Sequence, residues 1–495
     1  MSFVSVEFLA FTAICTAGYY LIPKRAQWVW LLIFSYIYYL AQGAQYIFFI
    51  LFATAVTYLG GLWAESGSKA AVPVTLLLDF GMLAVVKYTN FMIGNLNGIF
   101  GTEIRELRLL LPLGISFYTF QATAYLLDVH WKRVQAERNP FRFALFLSFF
   151  PQILQGPIGR YSRLADSLYA EKEFDMERIL RGLYRIAWGF FKKIVIADNA
   201  ALYVNTIFDN YADLRGYGIL GVLMYSAQLY GDFSGGIDVV CGIAEMLGVS
   251  LDENFRQPYF VVSITDFWHR WHITLGTWMK DYLFYPISLS RWMGRFGKWC
   301  KKHLGKSTGR AMPICVANVI VFLVVGVWHG PAWHNIVYGL YNGLIIGISG
   351  LLAKNYRDAR KRLGIGKDTR WFYIFQILRT FVLVNISWYF DRAGSVGQAF
   401  MMMKDSILHF AFSINVVDAG ACWSGSQTVT FCAILIGCAV LFMHSILEER
   451  GVSVGEALCR KPLPVRFAVL LLLVLSLVVI GSEPLSQGGF IYANF

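Results

Sequence analysis

Two histidines stand in an apolar stretch of the chain where few other side chains could transfer a proton. The stretch GVWHGPAWHNIVYGLYNG, residues 326–343, contains His329 and His334. An unsatisfied polar group in hydrocarbon costs several kcal/mol, so ionisable residues at membrane depth are functional candidates. We interpret His329 as an acid–base group. For His334 we favour a hydrogen-bonding role in the core, with acid–base chemistry as the alternative.

A second pair of histidines lies in FWHRWHITLGTWMKDYLFYP, residues 267–286. If this segment is helical, His269 and His272 are three residues apart and lie on one face. The spacing offers no third ligand, so the sequence predicts no metal site. The neighbouring cations and tryptophans suit an anionic donor shielded by indole rings, and an interfacial amphipathic helix is the alternative. The candidate donor-binding residues are Arg270, Trp271, Trp278 and Lys280.

Two acidic residues also lie in an apolar context, within YGDFSGGIDVV at residues 230–240. A buried carboxylate needs an ion pair or hydrogen bonds. We therefore expect Asp232 and Asp238 to have buried partners, such as arginines or backbone N–H groups. We favour a structural role for both, with a catalytic role as the alternative.

The composition indicates the elements that must position these residues. Hydrophobic residues form 57% of the 495 and charged residues only 15%, whereas soluble chains carry about 25% charged residues. We predict an all-α polytopic membrane protein, with ten or more transmembrane or re-entrant helices in a single domain, residues 1–495. Its net charge of +12 is typical of basic cytoplasmic loops, and argues against nucleic-acid binding when distributed among membrane spans.

Two basic segments set the expected topology. Residues 291–310 contain seven Lys or Arg and no acid, and residues 354–370 contain seven against two Asp. Both should be cytoplasmic, so the chain between them enters and leaves by the same side. The apolar run 316–328 spans only about 20 Å as a helix. This length predicts a broken helix whose turn, residues 330–333, lies deep in the membrane. The N-terminus and the tail 483–495 should be extracytoplasmic.

Several sequence blocks resemble those of the membrane-bound O-acyltransferases. They are LPLGISFYTFQATAYLLDV at 111–129, DFSG at 232–235, the ENF and FWHRWHITLGTW segments within 253–278, and WHGPAW at 328–333. Four blocks in family order are specific, and they cover most of the chain. The resemblance is closest to the bacterial alginate O-acetyltransferase-like branch. It implies a bundle of membrane helices around a central cavity, in the plasma membrane.

The resemblance also implies site residues and a mechanism. His329 matches the catalytic histidine of the family and His272 the second histidine, while no role carries over to His269. The donor would be a cytoplasmic thioester, either acetyl-CoA or an acyl carrier protein, with no bound cofactor. Basic loops after Trp278 would hold its phosphates. His329 would take the proton of an acceptor hydroxyl, with Trp and Asn or backbone donors stabilising the oxyanion.

The ending FIYANF, residues 490–495, resembles an aromatic C-terminal motif of the same branch, although Ala493 replaces an aromatic residue. One hypothesis is that Tyr492 carries the acyl group to an extracytoplasmic acyltransferase partner, which loads a polysaccharide. The alternative is that the tail only anchors the C-terminus.

Two further interpretations stay open from the sequence. A D-alanyl transferase of the teichoic-acid type would share the family resemblance, but usually carries the aromatic motif on a separate small protein. A secondary transporter would also have broken helices and buried charges, together with an internal repeat. We find no such repeat.

Overall fold

The computed structural model describes residues 5–153, 155–366 and 369–480. Within these ranges the chain is helical, and its β-structure is limited to one isolated bridge between Phe255 and Trp271. The all-α prediction is confirmed. The α-helices are α1 Val6–Leu21, α2 Gln27–Leu40, α3 Ile47–Glu65, α4 Ala71–Phe100, α5 Ile115–His130, α6 Pro140–Ser148, α7 Tyr161–Tyr169, α8 Met176–Phe190, α9 Asn199–Asp209, α10 Gly218–Met246, α11 Ile264–Arg270, α12 Ile273–Met279, α13 Tyr285–Ser288, α14 Arg291–His303, α15 Lys306–His329, α16 Trp333–Leu351, α17 Ala353–Arg362, α18 Arg370–Arg392, α19 Val396–Leu408, α20 Gln427–Glu449, α21 Val454–Cys459 and α22 Leu463–Ile480.

Six helical segments of the described chain are long and apolar enough to cross a membrane. They are Ala44–Glu65, Ala71–Phe100, Lys306–His329, Arg370–Arg392, Gln427–Glu449 and Leu463–Ile480. The pair α16 and α17, bent by 57°, would make a seventh. The predicted number of ten or more membrane or re-entrant segments is not confirmed.

The chain forms two compact units that alternate along the sequence. One comprises Met1–Leu202, Ala227–Glu253 and Val417–Phe495, as far as these ranges are described, and the other comprises Tyr203–Ser226 and Asn254–Val416. The predicted single domain stays a prediction.

The first unit contains a buried network of ion pairs. A π-helix, Phe191–Asp198, presents two adjacent lysines to α10. The ammonium of Lys192 lies 2.6 Å from Asp238, and that of Lys193 lies 2.6 Å from Asp232. All four side chains are at least four-fifths buried. The prediction that both aspartates have buried partners is confirmed, although lysines supply the closest contacts.

The second unit contains the hairpin of α15 and α16, with His329 at its turn. The expected helix length of 13 residues was wrong. Helix α15 begins inside the basic segment, continues through Pro313 and is 24 residues long. A helix of that length spans about 36 Å, enough to cross about 30 Å of hydrocarbon. The helix is thus not too short to span, and the prediction of a turn deep in the membrane loses its basis.

Candidate active site

His329 is the last residue of α15, and the local sequence explains why the helix ends there. Gly330 precedes Pro331, and a residue before proline is driven out of helical conformation. Gly330 is extended, with φ 174° and ψ 159°. The His329 side chain is only 3% exposed. Its ring lies edge-on to Tyr338 of α16, with the ring centroids 5.1 Å apart. The imidazole is therefore fixed at the start of the hairpin turn and shielded from solvent.

A carboxylate from a third helix approaches this histidine. Asp391, near the end of α18, places Oδ1 3.6 Å from Nδ1 of His329 and is itself 3% exposed. The hydroxyl of Tyr225 donates a 2.7 Å hydrogen bond to Oδ2 of Asp391. Sequence reasoning missed both residues. The criterion that singled out His329 could also have found Asp391, because Asp391 is an acidic residue at the end of an apolar run. Tyr225 has no comparable feature in the sequence.

His272 does not lie on a helical face with His269, so that part of the sequence prediction was wrong. Helix α11 ends at Arg270, and His272 adopts a left-handed conformation (φ 47°, ψ 55°) before α12 begins. His269 is exposed, whereas His272 is only 1% exposed. A non-glycine residue in the left-handed region is uncommon and is maintained by its surroundings.

Asn254 accounts for this break in the helix. Its Oδ1 accepts hydrogen bonds from the backbone N–H of Thr274 (3.0 Å) and from the Thr274 hydroxyl (2.6 Å), and lies 3.4 Å from Nδ1 of His272. Its backbone carbonyl accepts from the N–H of Ile273 at 3.0 Å. These bonds replace helical ones and hold the His272 backbone in its turn. No sequence pattern had singled out a role for Asn254.

Trp328 brings the two histidines into one site. Its ring centroid lies 5.8 Å from that of His272 and 5.2 Å from that of His329. Burial lowers the pKa of His272 well below its usual range, and the positive charge that His329 carries when protonated lowers it further. The His272 imidazole is therefore neutral at physiological pH. The predicted pair His329 and His272 is brought together.

The predicted donor-binding residues are placed in different environments. Trp271 is 1% exposed and packs against the rings of Phe267 and Trp388. Trp278 is buried beside the ring of Tyr282. Nε of Arg270 lies 3.6 Å from Oδ1 of Asp266, and the side chain of Lys280 is exposed. Their part in binding a donor stays a prediction.

The other candidates take simpler positions. The half-buried His334 has Nδ1 2.9 Å from the carbonyl oxygen of Phe390, which agrees with a hydrogen-bonding role. Across the described residues, no group of three His, Cys, Asp or Glu side chains could hold a metal ion. Tyr492 and the rest of the tail 483–495 lie outside the described residues.

Comparison with known proteins decides the family. The model of the membrane-bound O-acyltransferase family matches residues 136–297. The chain is 33% identical over 413 residues to a probable alginate O-acetylase AlgI of Pseudomonas putida, covering 81% of this chain and 79% of the relative. The chain belongs to the membrane-bound O-acyltransferase family. It is also 29% identical over 436 residues to the peptidoglycan O-acetyltransferase of Helicobacter pylori, covering 80% of this chain and 78% of that protein.

Membership in the family confirms three predictions from the sequence. The chain is a multi-pass membrane protein, it is an enzyme, and it is an O-acyltransferase. The teichoic acid D-alanyltransferase of Bacillus subtilis is a more distant relative, 30% identical over 285 residues, which cover 56% of this chain and 67% of that protein.

Proposed function

We propose that this O-acyltransferase is an O-acetyltransferase of the plasma membrane that modifies an envelope polysaccharide. The relatives matched over about four-fifths of this chain are named for acetyl transfer to alginate and to peptidoglycan. The match to a D-alanyltransferase covers 56% of the chain. Acetyl transfer is therefore favoured over D-alanyl transfer, and an acyltransferase over a transporter.

The observation that carries the proposal is the proximity of His329 and His272, whose rings both lie beside the ring of Trp328. A sugar hydroxyl is a poor nucleophile until a positioned base removes its proton during attack. His329 takes that proton as the hydroxyl oxygen forms its bond to the thioester carbonyl. The carbon–sulfur bond then breaks, and the thiolate leaves with the proton from the imidazolium. His272 is neutral and orients one of the reacting groups.

Trp388 is the candidate donor to the oxyanion that forms during attack. Its indole is 1% exposed and stacks on Tyr338, whose ring also contacts His329. The Nε1–H group has no hydrogen-bond acceptor among the described residues. A buried donor without an acceptor, linked to His329 through the ring of Tyr338, is suited to stabilise charge that develops only in the transition state.

The donor is proposed to be a cytoplasmic thioester, acetyl-CoA or an acyl carrier protein. Helix α14 and the residues after it, 291–310, carry seven exposed Lys or Arg and no acid. Such a surface attracts phosphate groups and follows the charge bias of cytoplasmic loops. On the extracytoplasmic side of the membrane, Tyr492 would carry the acetyl group to an acyltransferase partner, which would transfer it to the polymer.

Analysis of envelope polymers tests the proposed function. The gene is deleted in the source organism and restored as wild type, as His329→Ala, or as the control His269→Ala, which changes an exposed histidine. Ester-linked acetyl and D-alanyl groups on polysaccharide and peptidoglycan are then measured by mass spectrometry. Acetyl esters should disappear in the deletion strain and in His329→Ala, and return with wild type and His269→Ala. Loss of D-alanyl esters alone, or unchanged esters, would overturn the proposal.

A further inference from the structure

Behind His329 the structure holds a carboxylate and a phenol that the proposed reaction has not yet used. Asp391 approaches Nδ1 of His329 at 3.6 Å through Oδ1, and Tyr225 donates to its Oδ2 at 2.7 Å. The three residues come from α15, α18 and α10 and belong to the same compact unit. The phenol contacts the carboxylate, and the carboxylate in turn contacts the imidazole.

We propose that Asp391 and Tyr225 are positioning residues that hold His329 in the orientation and tautomer required of a base. The inference rests on the proposed role of His329. A histidine that accepts a proton at Nε2 must carry its own proton on Nδ1, and the group beside Nδ1 selects that tautomer. A carboxylate there fixes the ring and stabilises the imidazolium formed in the reaction, as it does in Ser–His–Asp enzymes. The 3.6 Å separation between Oδ1 of Asp391 and Nδ1 of His329 is that of an ion pair with the protonated ring, so the carboxylate is placed to stabilise the imidazolium.

Tyr225 has a separate task in this arrangement. Its hydroxyl occupies Oδ2, so the other oxygen of Asp391 is directed at the histidine. The adjacent cation, Arg392, donates to Asp209 at 3.0 Å and to Asn205 at 2.9 Å. The phenol therefore supplies the short hydrogen bond that a buried carboxylate requires.

The arrangement predicts that Tyr225 affects catalysis only through Asp391. We expect Asp391→Asn to slow acetyl transfer by about 10²-fold, the loss typical of a misplaced catalytic group. Asp391→Glu keeps the charge and should be faster than Asp391→Asn. Tyr225→Phe should slow transfer by about tenfold, the lower end of the range expected for the loss of one hydrogen bond to a charged group. In the Asp391→Asn background the same Tyr225→Phe change should have no further effect.

Timed labelling measures these rates. The variants are expressed in the deletion strain, [14C]acetate is supplied, and ester-linked label per amount of protein is followed. The control is Tyr341→Phe, which removes a different phenol hydrogen bond in the same unit. That bond runs from the Tyr341 hydroxyl to the carbonyl oxygen of Leu383 and is 2.9 Å long. It should transfer acetyl at the wild-type rate. The thermal unfolding midpoint of each purified variant reports on the fold independently of the rate.

The outcomes separate this inference from the proposed function. Wild-type rates in Asp391→Asn or Tyr225→Phe, or equal losses from Tyr225→Phe in both backgrounds, would overturn the positioning role. If Asp391→Asn does not accumulate, then Tyr225→Phe and Asp391→Glu decide: slowed transfer at an unchanged unfolding midpoint supports positioning, and a wild-type rate in both contradicts it. An active His329→Ala would instead refute the proposed function.

Discussion

The close contact between α15 and α16 makes Gly326 a sensitive position for both fold and catalysis. A Cβ atom at Gly326 would lie 2.5 Å from the carbonyl oxygen of Asn335, nearly 1 Å inside ordinary van der Waals contact, which begins at 3.4 Å. The obstructing atom belongs to the backbone of α16, so it cannot rotate away. Gly326→Ala therefore forces the two helices apart, one helical turn before His329.

The size of the effect follows from three terms. Forcing one methyl group into a packed interface costs about 1–3 kcal/mol, and replacing a helical glycine by alanine regains about 0.5–1 kcal/mol. A net destabilisation of about 1–2 kcal/mol is expected. A displacement of about 1 Å at a catalytic group can lower a rate by about 10²-fold. A 10²-fold loss of rate corresponds to about 2.7 kcal/mol in activation free energy, so the loss in transfer should exceed the loss in stability.

The control is Gly350→Ala on α16, where a Cβ atom would meet nothing within 4 Å. We expect this variant to unfold at the same or a higher temperature and to transfer acetyl groups at the wild-type rate. Unfolding midpoints in nanodiscs and ester formation in the deletion strain give the two readouts. A Gly326→Ala protein with the wild-type rate and midpoint would refute the argument that this contact positions His329.

Three other changes test separate parts of the account. Asn254→Ala leaves the buried N–H and hydroxyl of Thr274 without their acceptor, which costs about 1–3 kcal/mol of stability. The rate of acetyl transfer should fall together with the unfolding midpoint. An unchanged rate would show that the turn at His272 does not contribute to the active site. Lys193→Met leaves the buried Asp232 and Asp198 without the ammonium that both carboxylates contact, so the free energy of unfolding should drop by about 3–5 kcal/mol. Adding Asp232→Leu should restore part of this loss, and a stable single variant would contradict the ion-pair argument. Tyr492→Phe keeps the ring and removes the hydroxyl: lost polymer acetylation at normal protein levels supports the carrier hypothesis, whereas full acetylation leaves the tail as an anchor.

The sequence was sufficient for those features that depend on residue type and local order. Its apolar composition predicted a helical membrane protein, and an ionisable residue in an apolar run identified His329. The buried partners of Asp232 and Asp238 followed from the cost of an unpaired charge. Each of these inferences needed only the immediate neighbours of the residue.

Features that depend on contacts between distant segments could not be predicted in this way. The helix at His272 is broken by hydrogen bonds that the side chain of Asn254, 18 residues earlier, accepts from Thr274. A spacing rule assumes that the helix continues. Asp391 reaches His329 from 62 residues later in the chain, and the hydroxyl of Tyr225 comes from an earlier helix. The length of α15 was underestimated because a helix can begin among lysines and arginines whose head groups extend to the interface.

The rate of ester formation by His329→Ala tests the central claim most directly. Membranes with equal amounts of wild-type or variant protein are given a labelled acetyl thioester, and esters are counted over time. Loss of a general base typically lowers the rate by about 10²–10⁴-fold, so the account predicts a loss in this range at an unchanged unfolding midpoint. A rate within about threefold of wild type, well short of that loss, would contradict the assignment of His329 as the base.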